Sequence, residues 1–293
     1  MNADKLGALA INAMMLALST TVKPGLVDRR SPASRKELDF FMILNGITAL
    51  SPWLIEIARE STAGINLSPT SLFSNIRRIG HKAERDMFKA SNGVNTNKGA
   101  FFCLALCVGA AGRIISSRLK PDSDRICALV TEMCYDMCQH ELDTLDVKIN
   151  VIGADSLTAG ERVYMDHKLT GVRGEARSGF ATVREHALPL MNHLTTSENL
   201  AQNDVYVQTC LALMANTKDT GVCDKEGGAA MDEVMDWAGS VLEKGGVLTP
   251  NGREKISKFD ARLRTRKLYP GAANTLLNVA IFLDLINSAA GRP

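Results

Sequence analysis

Glycine and arginine recur in the segment from Gly171 to Gly179, which reads Gly-Val-Arg-Gly-Glu-Ala-Arg-Ser-Gly. Its glycines allow a ligand to approach the backbone closely. The guanidinium groups of Arg173 and Arg177 are planar and bind phosphate through several hydrogen bonds at once. We interpret the segment as a phosphate-binding loop in which Arg173 and Gly174 contact the ligand. An ordinary flexible, solvated loop is the alternative.

A second polar segment, Asn95-Thr96-Asn97-Lys98-Gly99, leads directly into an apolar run that predicts a buried helix from 98. The start of a helix has unpaired N–H groups and a partial positive charge, so a lysine there works against the helix dipole. That cost makes sense if a phosphate occupies the site. We therefore predict that Asn95, Thr96, Lys98 and Gly99 bind phosphate. The alternative is a polar turn with Asn95 or Thr96 as the helix cap.

Two further loops, predicted over 20–36 and 216–228, carry the same residue types. In the first, Lys23-Pro24-Gly25 predicts a phosphate-facing turn, with an ordinary basic loop as the alternative. In the second, the carboxylate of Asp219 suits Mg²⁺ binding through a phosphate oxygen, with helix capping as the alternative. A shorter loop, Leu268–Ala273, contains Pro270-Gly271. The residues assigned to phosphate binding in these loops are Lys23, Gly25, Asp28, Thr220, Lys225 and Gly271.

Several familiar signatures are missing from the sequence, including G-x-x-x-x-G-K-[ST], a strand-borne G-x-G-x-x-G and H-E-x-x-H. Cys134, Cys138 and His140 have metal-ligand chemistry, but cysteines four apart on an apolar helical stripe favour a core position over a zinc site. Glu84 and Asp86 are about 200° apart around a helix, so only one of them can face a given pocket.

Composition excludes several classes of protein. The 293 residues include 34 Lys and Arg against 32 Asp and Glu, a net charge of +2, which argues against general attraction to nucleic acid or membranes. The seven cysteines lie in apolar helical patterns and do not suggest a disulfide framework. The first residues lack the basic run of a secretory signal, and the apolar stretch Ala100–Gly112 is shorter than the ~20 residues of a membrane span. We predict a cytoplasmic protein.

Apolar residues recur at helical spacing almost throughout, and alternating strand patterns are nearly absent. We predict one all-α domain over 1–293, a compact multi-helix bundle of about twelve helices whose polar loops form one pocket. Ala100–Gly112 and Leu276–Ile286 are apolar nearly all round and should be central, buried helices. The predicted helices lie near 3–20, 37–50, 52–63, 69–90, 98–117, 122–142, 158–168, 180–193, 197–216, 226–244, 250–267 and 272–288.

These segments, in this order, resemble those of the triphosphoribosyl-dephospho-CoA synthase family, which makes the prosthetic-group precursor of citrate lyase and malonate decarboxylase. The resemblance covers roughly Leu9 to Leu285. The matching pieces are Lys23-Pro24-Gly25-Leu26-Val27-Asp28, Glu84 with Met87-Phe88, Gly93-Val94-Asn95-Thr96 with Lys98-Gly99, Leu169 to Ala176 with Gly179, Asp219-Thr220, Gly227 and Pro270-Gly271.

The resemblance implies an enzyme that joins ATP to 3′-dephospho-CoA and releases adenine. Such a displacement needs a carboxylate to accept the hydroxyl proton, and cations with Mg²⁺ around the triphosphate. On this basis we expect Lys23, Lys98 and Arg173 to bind phosphate. Glu84, Glu175 and Asp219 are the candidates for base catalysis, and Glu84 and Asp219 also for metal binding. The resemblance also implies a link to the acyl carrier protein machinery of citrate lyase or malonate decarboxylase. Separately, exposed apolar faces on the terminal helices would support a homodimer.

The sequence departs from the family pattern mainly at polar positions. Arg35 and Asn97 stand where relatives usually carry histidine, Glu37 where they carry aspartate, Gly221 where they carry asparagine, Lys225-Glu226 where they carry Arg-Gly, Ala272 where they carry glycine and Thr275 where they carry aspartate. These changes leave two alternatives open. One is a non-catalytic nucleotide-binding or CoA-binding paralogue that acts as a sensor or partner subunit. The other is a transferase or hydrolase that acts on another ribosylated nucleotide.

Overall fold

The computed structural model describes residues 1–31, 34–35, 37–63, 67–136 and 143–289. Within these ranges the protein contains fourteen α-helices and no strand, so the predicted all-α class is confirmed. The helices are α1 (Ala3–Ser19), α2 (Phe40–Ala63), α3 (Pro69–Ala90), α4 (Lys98–Ser116), α5 (Ser123–Cys134), α6 (Leu145–Ile152), α7 (Ala159–His167), α8 (Gly171–Arg177), α9 (Leu188–Thr196), α10 (Gln202–Asn216), α11 (Thr220–Glu226), α12 (Gly228–Glu243), α13 (Pro250–Thr265) and α14 (Gly271–Ala289).

Side-chain caps set the start of several helices at the predicted places. The hydroxyl of Ser68 accepts a hydrogen bond from a backbone N–H in the first turn of α3, and Thr249 does the same for α13. Thr158 and Glu161 form a complete capping box at α7. Each cap satisfies an N–H that the helix itself leaves unpaired, which is why these starts are readable from sequence.

The two helices predicted to be central lie in the core. Fourteen of the nineteen residues of α4 are buried, and α14 is buried from Ala273 through Leu283 apart from Asn274. Helix α4 packs against α2, α5 and α14, and α14 also packs against α1 and α10. These helices can be apolar on most sides because neighbouring helices cover most of their surface. Their first residues lie at the surface end of this core, where the polar loops reach them.

The predicted break at Pro52 is wrong, because α2 continues through it from Phe40 to Ala63. An interior proline costs a helix about 3 kcal/mol. Here the buried stripe runs on past the proline, with Leu50, Leu54 and Ile57 packed into the core beside α1 and α4. Burial of this stripe outweighs the missing backbone hydrogen bond.

Two of the predicted loops contain helices. Helix α8 lies within the segment 169–180, and α11 lies within 216–228. Their glycines indicated loops, but α11 is capped by Asp219 and both helices bury apolar side chains, Ala176 in α8 and Val222 in α11. Helix α6 was not predicted. The helix predicted over 122–142 is present as α5 up to Cys134, and 137–142 lie outside the described residues.

Two other helices have boundaries that differ from the prediction. The predicted helix near 180–193 is a π-helix over Val183–Ala187 followed by α9, and the one near 197–216 begins only at Gln202.

Three helices, α2, α4 and α14, are long and apolar enough to cross a membrane by length and composition. This differs from the sequence expectation, which considered only Ala100–Gly112. In the fold, the apolar window of α4 is 72% buried by other helices. Of the terminal helices on which a dimer was expected, α1 exposes Met15, whereas the described large apolar side chains of α14 are covered. The dimer and the single-domain organisation stay predictions.

Candidate functional site

The starts of α4, α8, α11 and α14 lie next to one another. A Cβ atom on Gly99 would be 3.0 Å from Oγ1 of Thr275, which joins the start of α4 to the first turns of α14. The backbone N–H of Ala272, in the first turn of α14, donates to the carboxylate that caps α11. A Cβ atom on Gly171 would be 3.1 Å from Oγ1 of Thr220, which joins α8 to α11. Four of the sequence segments therefore meet, so the N-terminal, positive ends of these helices lie close together.

Asp219 is the residue that joins two of these helices. It is 4% exposed, and its Oδ1 accepts from the N–H groups of Gly221 and Val222. Its Oδ2 accepts from the N–H of Ala272 at 2.7 Å. Burial raises the pKa of Asp219, and the three N–H donors oppose that effect. The structure thus gives Asp219 the capping role that the sequence left open, and its catalytic and metal-binding roles stay predictions.

The loop before α4 is ordered by its own amides. Oδ1 of Asn95 accepts from the backbone N–H of Lys98, the first residue of α4, but the cap position itself is Asn97, not Asn95 or Thr96, and the Asn97 side chain makes no capping bond. The side-chain amide of Asn97 donates to the carbonyl of Ile43 and to Thr96. These contacts fix the direction in which α4 begins, and therefore the position of Lys98.

Lys98 and Glu84 form an ion pair at the edge of this region, with 2.5 Å between Nζ and Oε1. The two side chains are 47% and 28% exposed, so a solvent-borne phosphate can reach the ammonium group. Asp86 instead accepts a hydrogen bond from the indole of Trp53. As the helix geometry predicts, the two carboxylates of α3 point to different partners.

Lys23 lies in the interior, not at the surface. It is 1% exposed, and its ammonium donates to the carbonyl of Ala17 at 2.5 Å and to Oδ1 of Asn274 at 2.9 Å. Burial lowers the pKa of Lys23 to about 8, an effect that Cys210 and Asp28 partly oppose. The ammonium therefore holds the ends of α1 and α14 together and lines an internal pocket. Its phosphate role stays a prediction.

The turn that follows Lys23 is held from α13. The carboxylate of Asp260 accepts from the N–H of Gly25 at 2.8 Å and from Nε of Arg264 at 2.8 Å. Gly25 has φ +71, and a Cβ atom there would be 2.9 Å from the carbonyl of Leu268, so glycine is required. Asp28 accepts three backbone N–H bonds within the turn, from Lys23, Arg30 and Ser31. The sequence analysis did not identify Asp260 and Arg264, because no local pattern indicates a contact between Gly25 and Asp260, which are 235 positions apart.

Helix α8 places its charged residues on different sides. The guanidinium of Arg173 lies toward α7, where NH1 would be 3.9 Å from a Cβ atom on Gly160. Glu175, two positions on, turns toward Thr182, whose hydroxyl donates to Oε1 at 2.6 Å. A Cβ atom on Gly174 would lie 1.8 Å from Oγ1 of Thr170, so α8 requires glycine there.

Glu175 is the carboxylate with the most unusual surroundings. Burial raises its pKa, and the hydrogen bond from Thr182 opposes that effect. Its second oxygen, Oε2, is buried and has no hydrogen-bond partner in the described part of the chain. A buried, unpaired carboxylate oxygen is costly and tends to mark a functional site. Thr182, which binds the other oxygen of Glu175, directly precedes the π-helix Val183–Ala187. Such π-helical turns are frequent at functional sites.

Several of the residues that depart from the family pattern lie beside Tyr269. The guanidinium of Arg35 lies 5.6 Å from the centre of the Tyr269 ring and is paired with Glu37. The pKa of Glu37 is lowered, first by its own backbone N–H, then by Arg35 and more weakly by Lys225. Burial raises the pKa of Tyr269 to about 12. Lys225 is exposed and lies near enough to this cluster to affect the Glu37 carboxylate. Ala33 and Lys36 lie outside the described residues.

A small internal cavity, with room for about one water molecule, lies between α1, α2, α14 and the turn after Lys23. Its polar lining residues are Lys23, Asn97, Tyr269, Asn274 and Asn278. Its other walls are apolar: Met14, Leu18, Leu26, Val27, Ile43 and Ile47. Sequence reasoning missed Asn274 and Asn278, although two asparagines four apart in an otherwise apolar helix are a usable signal. Gly271 begins α14 just before them.

The described residues contain no group of three or more metal-ligating side chains. Of the two expected Mg²⁺ ligands, Glu84 is held by an ammonium and Asp219 by backbone N–H groups. In the zinc alternative, Cys134 is buried, and Cys138 and His140 lie outside the described residues.

The sequence of the chain was compared with known families and proteins. Residues 3–293 match the family described as CitG, ATP:dephospho-CoA triphosphoribosyl transferase. A 2-(5″-triphosphoribosyl)-3′-dephosphocoenzyme-A synthase of Klebsiella pneumoniae is 33% identical over 295 residues, covering 99% of this chain and 93% of the relative. A synthase of the same name from Pectobacterium atrosepticum is 34% identical, covering 91% and 84%. A probable synthase of that name from Vibrio cholerae is 34% identical, covering 92% and 84%. No solved structure matches the chain.

Proposed function

Because the chain belongs to the ATP:dephospho-CoA triphosphoribosyl transferase family, we propose that it joins ATP to 3′-dephospho-CoA and releases adenine. The observation that carries this proposal is the family match over residues 3–293, with relatives of that name aligned over more than nine-tenths of the chain. The fold supports it, because the matching segments at the starts of α4, α8, α11 and α14 meet in one region.

The reaction replaces one bond to the ribose of ATP by another. A ribose hydroxyl of dephospho-CoA attacks the carbon that carries adenine, a C–O bond forms, and the C–N bond to adenine breaks. The hydroxyl loses its proton to a base, and adenine leaves with the bonding electrons and takes up a proton. The triphosphate stays on the transferred ribose. The protein must therefore bind a triphosphate, accept one proton and hold two large substrates in line.

Lys98 and the start of α4 are the best-placed elements for the triphosphate. The ammonium is accessible, and the first N–H groups of α4 add the positive end of a long helix. Glu84 keeps the ammonium extended toward this edge of the site. Arg173, on the α7 side of α8, would contact a more distant phosphate group.

Glu175 is the best-placed base among the three carboxylates. Asp219 has both oxygens bound by N–H groups, and Glu84 is neutralised by Lys98. One oxygen of Glu175 has no hydrogen-bond partner among the residues that the structure describes, and its raised pKa makes it a better proton acceptor than an ordinary carboxylate. Thr182 holds the other oxygen and so fixes the direction of the carboxylate.

The remaining functional assignments follow from this reaction. Mg²⁺ would enter with ATP, bound to its phosphates, since the described side chains form no cage for it. The substrates are soluble nucleotides, so we place the protein in the cytoplasm and regard α2, α4 and α14 as helices of the packed fold and not as membrane spans. The product would serve the acyl carrier protein machinery of citrate lyase or malonate decarboxylase.

An assay of both products tests the proposal. Purified protein is incubated with ATP, Mg²⁺ and 3′-dephospho-CoA, and adenine and the conjugate are followed by chromatography with mass detection. We expect adenine release that requires dephospho-CoA, with an equal amount of conjugate. Reactions without protein and without dephospho-CoA are the controls. Nucleotide binding without adenine release would refute the proposal and favour a non-catalytic binding protein. Free ribose triphosphate without conjugate would indicate a hydrolase.

A further inference from the structure

The segment around Arg35 is held against the residues that lead into α14. The hydroxyl of Ser34 donates to the carbonyl of Leu268 at 2.7 Å. The guanidinium of Arg35 lies over the ring of Tyr269, 5.6 Å from its centre. A Cβ atom on Gly271, the first residue of α14, would be 2.7 Å from Cε1 of that ring. Arg35 is therefore separated from the start of α14 by one aromatic ring.

This position belongs to the region where four helix starts meet. The second residue of α14, Ala272, donates its backbone N–H to the carboxylate that caps α11. About one turn further along α14, Thr275 lies beside Gly99 at the start of α4. Arg35 is thus at the same end of the core as the segments assigned to the triphosphate.

Two positive charges lie close together here. Nε and NH2 of Arg35 both contact Oε1 of Glu37, at 2.7 Å and 2.6 Å. Lys225, in the last turn of α11, is exposed and also acts on the Glu37 carboxylate. The side chains of Arg35 and Glu37 are 27% and 45% exposed, so a ligand can reach the pair from solvent. Among these three groups, the positive charges exceed the negative charges by one.

We propose that Arg35 and Lys225, here called the arginine subsite, bind the diphosphate of 3′-dephospho-CoA. A guanidinium binds phosphate oxygens through parallel N–H bonds, and an ammonium adds a second positive charge. An exposed ion pair contributes little to stability, so little is lost when a phosphate takes the place of Glu37 beside Arg35. The inference rests on the proposed function, in which dephospho-CoA is the second substrate.

The choice between the two substrates follows from the groups already assigned. Lys98 and Arg173 are proposed to bind the triphosphate of ATP. Dephospho-CoA carries a diphosphate between its adenosine and its pantetheine arm, and this second anion also needs cations within the same site. The arginine subsite lies beside the first residue of α14, whereas Lys98 begins α4. It is therefore placed to bind a second anion while the triphosphate occupies the start of α4.

The test is calorimetric binding of 3′-dephospho-CoA and of ATP to the full chain and three variants. Arg35→Met should weaken dephospho-CoA binding at least about tenfold and change ATP binding less than about twofold. Glu37→Gln should strengthen dephospho-CoA binding, by up to about fivefold, because the competing carboxylate is removed. Arg59→Met is the matched control, because Arg59 is also an exposed arginine paired with one carboxylate, that of Asp4. It lies near the far end of α2, so both affinities should stay unchanged.

The outcomes separate this inference from the proposed function. Unchanged dephospho-CoA affinity in Arg35→Met would overturn the arginine subsite, even if adenine release is observed. A selective loss of dephospho-CoA affinity would support it, even if adenine release fails. An equal loss for both substrates, or a loss for ATP alone, would overturn the assignment to dephospho-CoA. Affinity that Glu37→Gln lowers or leaves unchanged would overturn the exchange of Glu37 for phosphate. Absence of dephospho-CoA binding to the natural protein would overturn both proposals.

Discussion

Replacement of the buried Lys23 by methionine should change how the stability of the protein depends on pH. Burial lowers the pKa of this lysine from 10.5 to about 8, a difference of about 2.5. One pKa unit corresponds to about 1.4 kcal/mol, so the charged ammonium disfavours the folded state by ~3 kcal/mol when the folded and unfolded chains are both protonated. Methionine has a similar length and carries no charge, so this contribution is absent from Lys23→Met.

The direction in which stability changes with pH follows from the numbers of protons bound by the folded and unfolded chains. Below about pH 8 both states carry the proton and the unfavourable contribution is complete. Between about pH 8 and 10.5 the unfolded chain keeps a proton that the folded chain has released, so the contribution shrinks as pH rises. From about pH 7 to about pH 9 it falls from ~3 to ~2 kcal/mol. The free energy of unfolding of the natural protein, measured relative to that of Lys23→Met, should therefore rise by ~1 kcal/mol over this interval.

Urea unfolding of both proteins across this pH range, under reducing conditions, measures the difference. Buried thiols that do not interact with Lys23, such as Cys127, whose pKa burial raises to about 12, make the folded state less stable at alkaline pH in both proteins, so their effect cancels. The hydrogen bonds to Ala17 and Asn274 that methionine lacks shift the absolute difference but not its slope. A difference in unfolding free energy constant to ~0.3 kcal/mol over the range would refute a buried, charged Lys23.

The remaining predictions concern α8 and the Glu84–Lys98 pair. Gly174→Ala should displace α8 and destabilise the fold by ~1–3 kcal/mol. Gly239→Ala, at an open position in α12, should instead stabilise the fold by ~0.5–1 kcal/mol. Equal urea midpoints for the two variants would contradict the steric argument. Glu175→Gln should lower kcat at least ~100-fold with little change in KM, and steady-state kinetics with near-natural kcat would exclude it as the base. Lys98→Met should weaken ATP binding ~10-fold and lower the free energy of unfolding by at most ~1 kcal/mol. Glu84→Gln should leave the affinity for ATP unchanged. Calorimetry that shows equal losses of ATP affinity in both variants would contradict phosphate binding by the Lys98 ammonium.

Helices with strong local signals could be predicted from sequence. Helix α3 follows Ser68-Pro69, α7 follows a capping box, and α4 and α14 have apolar runs that leave no polar face. Each of these signals acts within one or two turns, so a local pattern suffices. The break predicted at Pro52 failed because tertiary packing of α2, which no local pattern records, decided the outcome.

The site could be predicted in part. The segments that meet were identified, but their side chains often contact groups that sequence reasoning did not consider. Asp219 carries the expected carboxylate but uses it to join α11 to α14. Lys23 was expected to face phosphate but is buried beside Asn274, 251 positions away. Such pairings depend on how helices pack, and spacing along the chain does not contain that information.

The central claim is that the ribose and triphosphate of ATP move together onto dephospho-CoA. Its most direct test uses ATP labelled with ¹³C in the ribose and unlabelled in the base. We predict that mass spectrometry finds the whole ribose label in the conjugate and none in the released adenine. Label confined to free ribose triphosphate, or conjugate without label, would contradict the account.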